Sequence, residues 1–84
     1  MNDRAVPLSR LGSAVRTRRR ALGLRQRDLA DLAACSDRFV HMLEHGKPTV
    51  QLSKVLDVLE VLGLGLLLRP GHGDIEWPGD PGAS

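Results

Sequence analysis

The chain has 84 residues, 42% of them hydrophobic, and a formal net charge of +2, which sets one small domain able to bury roughly 60% of its unfolded surface. Phe39 and Trp77 are its only aromatics and Cys35 its only cysteine. That disfavours base-stacking modes of single-strand or RNA binding and excludes an intramolecular disulfide or a multi-cysteine zinc site, fitting a reducing, cytoplasmic home. The charge is lopsided: residues 1–27 carry eight arginines against Asp3, giving +7, and residues 28–84 carry four basic and nine acidic residues, giving −5, so the front of the chain suits a polyanion or, more blandly, a solvated arginine-rich face.

The opening MNDRAVPLSR lacks the apolar h-region of a signal peptide, and residues 1–7 read as an arm. PLSRLGSAVRTRRRALG then places Leu8, Leu11, Val15 and Leu22 at three- and four-residue steps, predicting an amphipathic helix closed by Gly23. QRDLADLA, residues 26–33, predicts a second short helix with Asp28 suited to its first turn. SDRFVHMLEHG predicts a third, capped by Ser36, with Val40 and Leu43 inward and Gly46 at its end. QLSKVLDVLEVLG sets Leu52, Val55, Leu56, Leu59 and Leu62 on one side of a fourth helix that Gly63 stops. Residues 64–69 read as one short β-strand ended by Pro70, and GHGDIEWPGDPGAS, within residues 70–84, as a flexible tail. The longest apolar run, LGLGLLL, is far below the ~18 residues of a membrane span, so no membrane partner is expected.

Two short helices joined by a tight turn, the second of them capped, predict a helix-turn-helix over Gln26–Leu43. Ala30 is small where the pair must cross closely, and Cys35, Val40 and Leu43 fall where apolar contacts lock the angle. The turn position, often glycine in this motif, is Ala34. A positive φ there costs about 1 kcal/mol more than with glycine. A plain helical bundle is the competing reading.

The lone strand is a problem for a single chain, because its backbone N–H and C=O groups need a partner. Pairing with a symmetry copy solves it, with Leu64, Leu66 and Leu68 on one face and Leu52, Leu56 and Leu59 completing a dimer interface.

LGLRQRDLA, FVHMLEHGKPTV and the leucine-rich fourth helix running into a strand, within residues 11–68, resemble the DNA-binding domain of the xenobiotic-response-element regulators, most closely that of HipB-type antitoxins. The resemblance implies an all-α, four- to five-helix, lambda-repressor-like domain over residues 8–69 whose C-terminal strand pairs across a homodimer. It also implies a cytoplasmic, nucleoid-associated repressor that reads palindromic double-stranded operator DNA, neutralises a HipA-like kinase toxin and represses its own operon. A stand-alone regulator of the same fold, with no toxin partner, is the alternative. The second helix departs from the usual Thr-Gln or Ser-Gln start, having Arg25-Gln26, so a customary N-cap is lost.

With the third helix in the major groove, Ser36, Asp37, Arg38, His41 and Met42 face outward. Arg38 is the best base reader, because its fork fits guanine O6 and N7. Ser36 suits a base or a phosphate, Asp37 a cytosine or merely the helix start, and His41 a base edge or solvent. In this family Gln26 is aimed at the backbone or a neighbouring base. Arg25, Arg27, His45, Lys47 and Thr49 flank the surface as candidate phosphate contacts. Arg19 and Glu44 occupy positions that pair as a structural salt bridge in the family. HMLEH matches the H-x-x-E-H zinc motif, but a catalytic zinc also needs a third ligand and a substrate cleft, the chain is short, and these residues already sit in a helix-turn-helix frame. No enzyme, metal or cofactor is therefore expected. In the tail, Ile75 and Trp77 are candidate anchors for the toxin, or Trp77 folds back on its own domain.

Overall fold

A computed structural model describes residues 5–78. Four helices follow in order: α1 (Ala5–Ala21), α2 (Gln26–Leu32), α3 (Asp37–Glu44) and α4 (Leu52–Leu62). The first begins inside the segment expected to be an arm. Pro7 is tolerated there because N–H groups of the first turn have no intrahelical partner to lose. The expected features of residues 1–4 and 79–84 lie outside the described residues.

All four helices close with the same backbone bond. Leu24 N–H reaches Arg19 O at 3.0 Å, Cys35 reaches Ala30 O at 2.9 Å, Lys47 reaches Met42 O at 3.1 Å and Leu64 reaches Leu59 O at 2.9 Å. Each is the six-to-one bond that requires a left-handed residue just before the donor. Glycine supplies it at 23, 46 and 63, and Ala34 supplies it at φ 56°. That is the one positive φ at a non-glycine residue among the described residues.

The core gathers Val15 from α1, Leu29, Ala30 and Ala33 around α2, Phe39, Val40 and Leu43 from α3, and Val55, Val58, Leu59 and Leu62 from α4. Leu11, Leu24, Cys35, Val50, Val61 and Leu64 pack against its edge. Burying one such aliphatic side chain is worth about 1.5–3 kcal/mol.

Three expectations need correction. Among the described residues there is no strand: 64–69 forms no ladder, since a single protomer offers it no edge and Leu64 N–H is already spent on closing α4. Leu59 is 3% exposed, so it belongs to its own protomer's core and is closed to a dimer interface. The buried stripe of α4 is 55/58/59/62, one step round from the expected side, so Leu52 and Leu56 face out. Leu22 is also exposed. No helix among the described residues is long and apolar enough to cross a membrane.

Candidate nucleic-acid interface

The α2–turn–α3 unit is held from below by a buried ion pair. Arg19 of α1 donates from Nε to Glu44 Oε2 at 2.6 Å and from Nη2 to Oε1 at 2.9 Å, a fork-on-carboxylate arrangement. Its Nη1 donates to Leu24 O at 2.9 Å, fixing the α1–α2 connection. Gln26 Nε2 donates to Glu44 Oε1 at 3.1 Å, and Arg16 Nε lies 3.6 Å from the same oxygen. Burial alone pushes the Glu44 carboxyl up, but the hydrogen bonds from Arg19 and Gln26 and the charges of Arg19 and Arg16 outweigh it and hold the group below its ordinary value. The Glu44 hydrogen bonds in turn raise Arg19. One carboxylate thus ties the ends of α1, α2 and α3 together, and Gln26 turns its amide N–H inward to it.

The α2–α3 angle is set by small apolar residues. Ala30 is fully buried and Ala33 nearly so. At the α1–α3 crossing the decisive residue is Gly12, which sequence reasoning passed over. A Cβ there would lie 2.5 Å from Glu44 O and 2.6 Å from Leu43 O. The only signal in the sequence is a glycine in the middle of a helical pattern, which is tolerated at a cost and usually has a packing reason.

Ser36 caps α3, its Oγ accepting from Phe39 N–H at 3.0 Å. Phe39, Val40, Leu43 and Glu44 turn inward. Ser36, Asp37, Arg38, His41 and His45 are exposed, and Met42 is half-buried. Lys47 and Thr49, in the loop after α3, are exposed too. No side chain caps the start of α2, but Asp28 makes the reciprocal half of a capping box: its Oδ2 accepts from Arg25 N–H at 2.9 Å, while the Arg25 guanidinium folds onto the same carboxylate at 3.2 Å. Arg25 hydrogen bonds hold the Asp28 carboxyl below its ordinary value. Arg27 Nε lies 3.6 Å from Asp37 Oδ2, bridging the starts of α2 and α3.

The rings of His41 and His45 are 4.1 Å apart at their centroids, and His45 Nδ1 is 2.7 Å from His41 O. Their intervening Glu44 is turned into the core and held by Arg19, so the H-x-x-E-H spacing does not assemble a zinc site. No three metal-ligating side chains converge among the described residues. Burial pushes the Cys35 thiol up, away from the thiolate a nucleophile needs.

Away from this face, Leu52, Leu56, Leu66, Leu67 and Leu68 are exposed, the last two at 89% and 93%. Leu64 is half-buried against the core. Arg18 of α1 donates from Nε to Leu62 O at 2.8 Å, capping α4, another contact the sequence did not disclose. Residues 70–78 carry no regular element, yet Arg10 Nη1 donates to Ile75 O at 3.3 Å and Arg69 pairs with Asp74 and Glu76. Ile75 and Trp77 are half-buried, and the Trp77 indole N–H is shut from solvent with no acceptor among the described residues.

The family model described as "Helix-turn-helix domain" matches residues 10–70, within two residues at either end of the stretch that carries the sequence resemblance. The chain is 47% identical over 63 residues to the uncharacterized HTH-type transcriptional regulator y4mF of Sinorhizobium fredii, an alignment covering 74% of this chain and 83% of that protein. It superposes on the clp gene regulator ClgR from Corynebacterium glutamicum with a TM-score of 0.60 at 33% identity, covering 70% of this chain and 65%, just under two thirds, of that one. The chain belongs to the helix-turn-helix family of DNA-binding transcriptional regulators, of the xenobiotic-response-element type, and is not an enzyme.

Proposed function

We propose that the protein is a sequence-specific transcriptional repressor that reads duplex operator DNA with α3. The carrying observation is the two-sidedness of that helix: Phe39, Val40, Leu43 and Glu44 are buried while Ser36, Asp37, Arg38 and His41 stand in solvent. Arg25, Arg27, His45, Lys47 and Thr49 lie at its margins as phosphate contacts, Met42 lends a half-buried edge, and Gln26 reaches the DNA backbone or a neighbouring base by giving up Glu44.

A homodimer goes with this reading. Exposed apolar clusters mark interaction sites, and Leu52, Leu56, Leu66 and Leu68, with Leu64 at the edge, offer a self-complementary patch. Residues 64–69 become a strand when a second copy supplies the ladder. Two copies present two reading helices to palindromic half-sites about one helical turn, roughly 34 Å, apart. The resemblance to HipB-type antitoxins supports a further role in the cytoplasm, at the nucleoid: neutralising a HipA-like kinase toxin, with Ile75 and Trp77 leaving their own domain to anchor on it.

Selection of the operator from random duplexes, followed by Arg38→Ala and Lys47→Ala, tests the reading. Arg38→Ala costs about 1–3 kcal/mol and relaxes preference at one base pair per half-site, whereas Lys47→Ala weakens all sequences alike and flattens the salt slope. Identical behaviour of the two variants removes Arg38 from base reading. Truncation at Gly71 leaves operator affinity unchanged and weakens binding of a HipA-like kinase. Equal kinase affinities, or none, leave a stand-alone regulator.

A further inference from the structure

The solvent side of α2 and α3, with the residues just before α2 and just after α3, carries the four cations Arg25, Arg27, Arg38 and Lys47, but they are not equivalent. Arg25 lies 3.2 Å from Asp28, and Arg27 lies 3.6 Å from Asp37. Arg38 and Lys47 have no carboxylate within 4 Å among the described residues. Both carboxylates therefore sit on the cations closest to the start of α2, and both are partly or largely open to water. A carboxylate on a surface that meets phosphate is a liability for affinity, because it repels the polyanion and holds back an arginine that would otherwise release a counterion.

We propose that Asp28 and Asp37 are specificity-determining residues that suppress non-specific DNA binding by masking Arg25 and Arg27. In the free protein the face presents Arg38 and Lys47 as its open cations. On a random duplex the masking pairs persist, since exposed pairs of this kind are weak but generic phosphate contact gives little more in return. On a site that engages Arg38, docking brings the start of α2 against the backbone, and the two arginines exchange carboxylate for phosphate. The discrimination comes from contacts withheld from the wrong sequence. Asp28 also accepts the Arg25 N–H that starts α2, and Asp37 sits in the first turn of α3, where a negative charge suits the helix dipole. Isosteric amides therefore separate charge from shape: asparagine keeps an acceptor for the Arg25 N–H and removes the mask.

This inference rests on the DNA-reading assignment of the same face, and the experiment keeps the two apart. The full chain, its Asp28→Asn and Asp37→Asn variants and the double variant are titrated against a generic duplex of random sequence over a series of salt concentrations. Thermal unfolding checks that each variant is folded. Each amide substitution raises generic affinity ~2- to 5-fold, the fold-change equivalent of a surface pair, and steepens the log–log salt slope by up to about 0.9 for the arginine released. Arg27→Ala costs more affinity in the Asp37→Asn background than in the wild type. Unchanged affinity and slope in folded amide variants, or an equal cost of Arg27→Ala in both backgrounds, overturns the masking. A wild type with no salt-dependent affinity for any duplex overturns the DNA-reading assignment itself, and the masking with it.

Discussion

Two residues show how much of this domain depends on single atoms. Ala34 holds a left-handed conformation because the six-to-one bond from Cys35 to Ala30 has to be made there. Ala34→Gly removes the Cβ conflict and raises stability by about 1 kcal/mol, less the entropy glycine loses on folding; denaturant titration measures it as a higher midpoint at unchanged slope. Glu44 is buried against three cationic or amide donors. Glu44→Ala strands Arg19 without its partner and costs about 3–5 kcal/mol. The folded carboxyl lies below its ordinary value near 4.5. Its stabilisation is thus fully present above pH 4.5 and is lost as pH falls through the lower, folded value. Acid unfolding of the wild type should show that loss below pH 4.5, and Glu44→Gln, followed over the same range, should have less of it to lose. The Ala34 strain and the Arg19–Glu44 pairing were legible in the sequence, the first from turn chemistry and the second through family resemblance. What gathers on Glu44 besides Arg19 was not, because Arg16 and Gln26 are distant in sequence and nothing in their spacing points to a shared carboxylate.

At the scale of elements, local signals located the helices well. Ser36, Asp28 and the glycines at 23, 46 and 63 mark helix starts and stops by backbone chemistry that acts within a few residues. Rotation of α4 was the weak point. Its sequence is apolar on more than one side: the expected face was 52/55/56/59/62, and packing against α1 and α2 kept 55, 59 and 62, added Val58 and turned Leu52 and Leu56 out. Long-range contacts were invisible for the same reason: Arg18 capping α4 at Leu62 O spans 44 residues. Gly12 sits where α1 crosses the end of α3 with no room for a methyl group. Gly12→Ala should therefore destabilise by about 1–3 kcal/mol or more despite its better helix propensity. Thermal unfolding gives the sign, and a stabilised variant would show that α1 and α3 do not cross as described.

For the whole molecule, the strand expected over 64–69 marks the limit of reading one chain as one molecule. Leu66, Leu67 and Leu68 are exposed and the ladder is unmade in a single protomer, which is the condition a second copy would relieve in the proposed dimer. Leu66→Pro removes one ladder donor and Leu56→Asp puts a charge in the patch. Each should raise the dissociation constant of the proposed dimer in sedimentation velocity, while helix content stays the same because neither position belongs to the core. The central claim is that α3, carried on the Glu44-centred scaffold, is the face that meets DNA. Amide chemical-shift mapping of the full-length protein titrated with operator duplex tests this most directly. The largest shifts are expected at Ser36–Met42, with weaker ones at Arg25–Arg27 and Lys47–Thr49. Shifts confined to α4 and residues 66–78, with α3 silent at saturation, would contradict it.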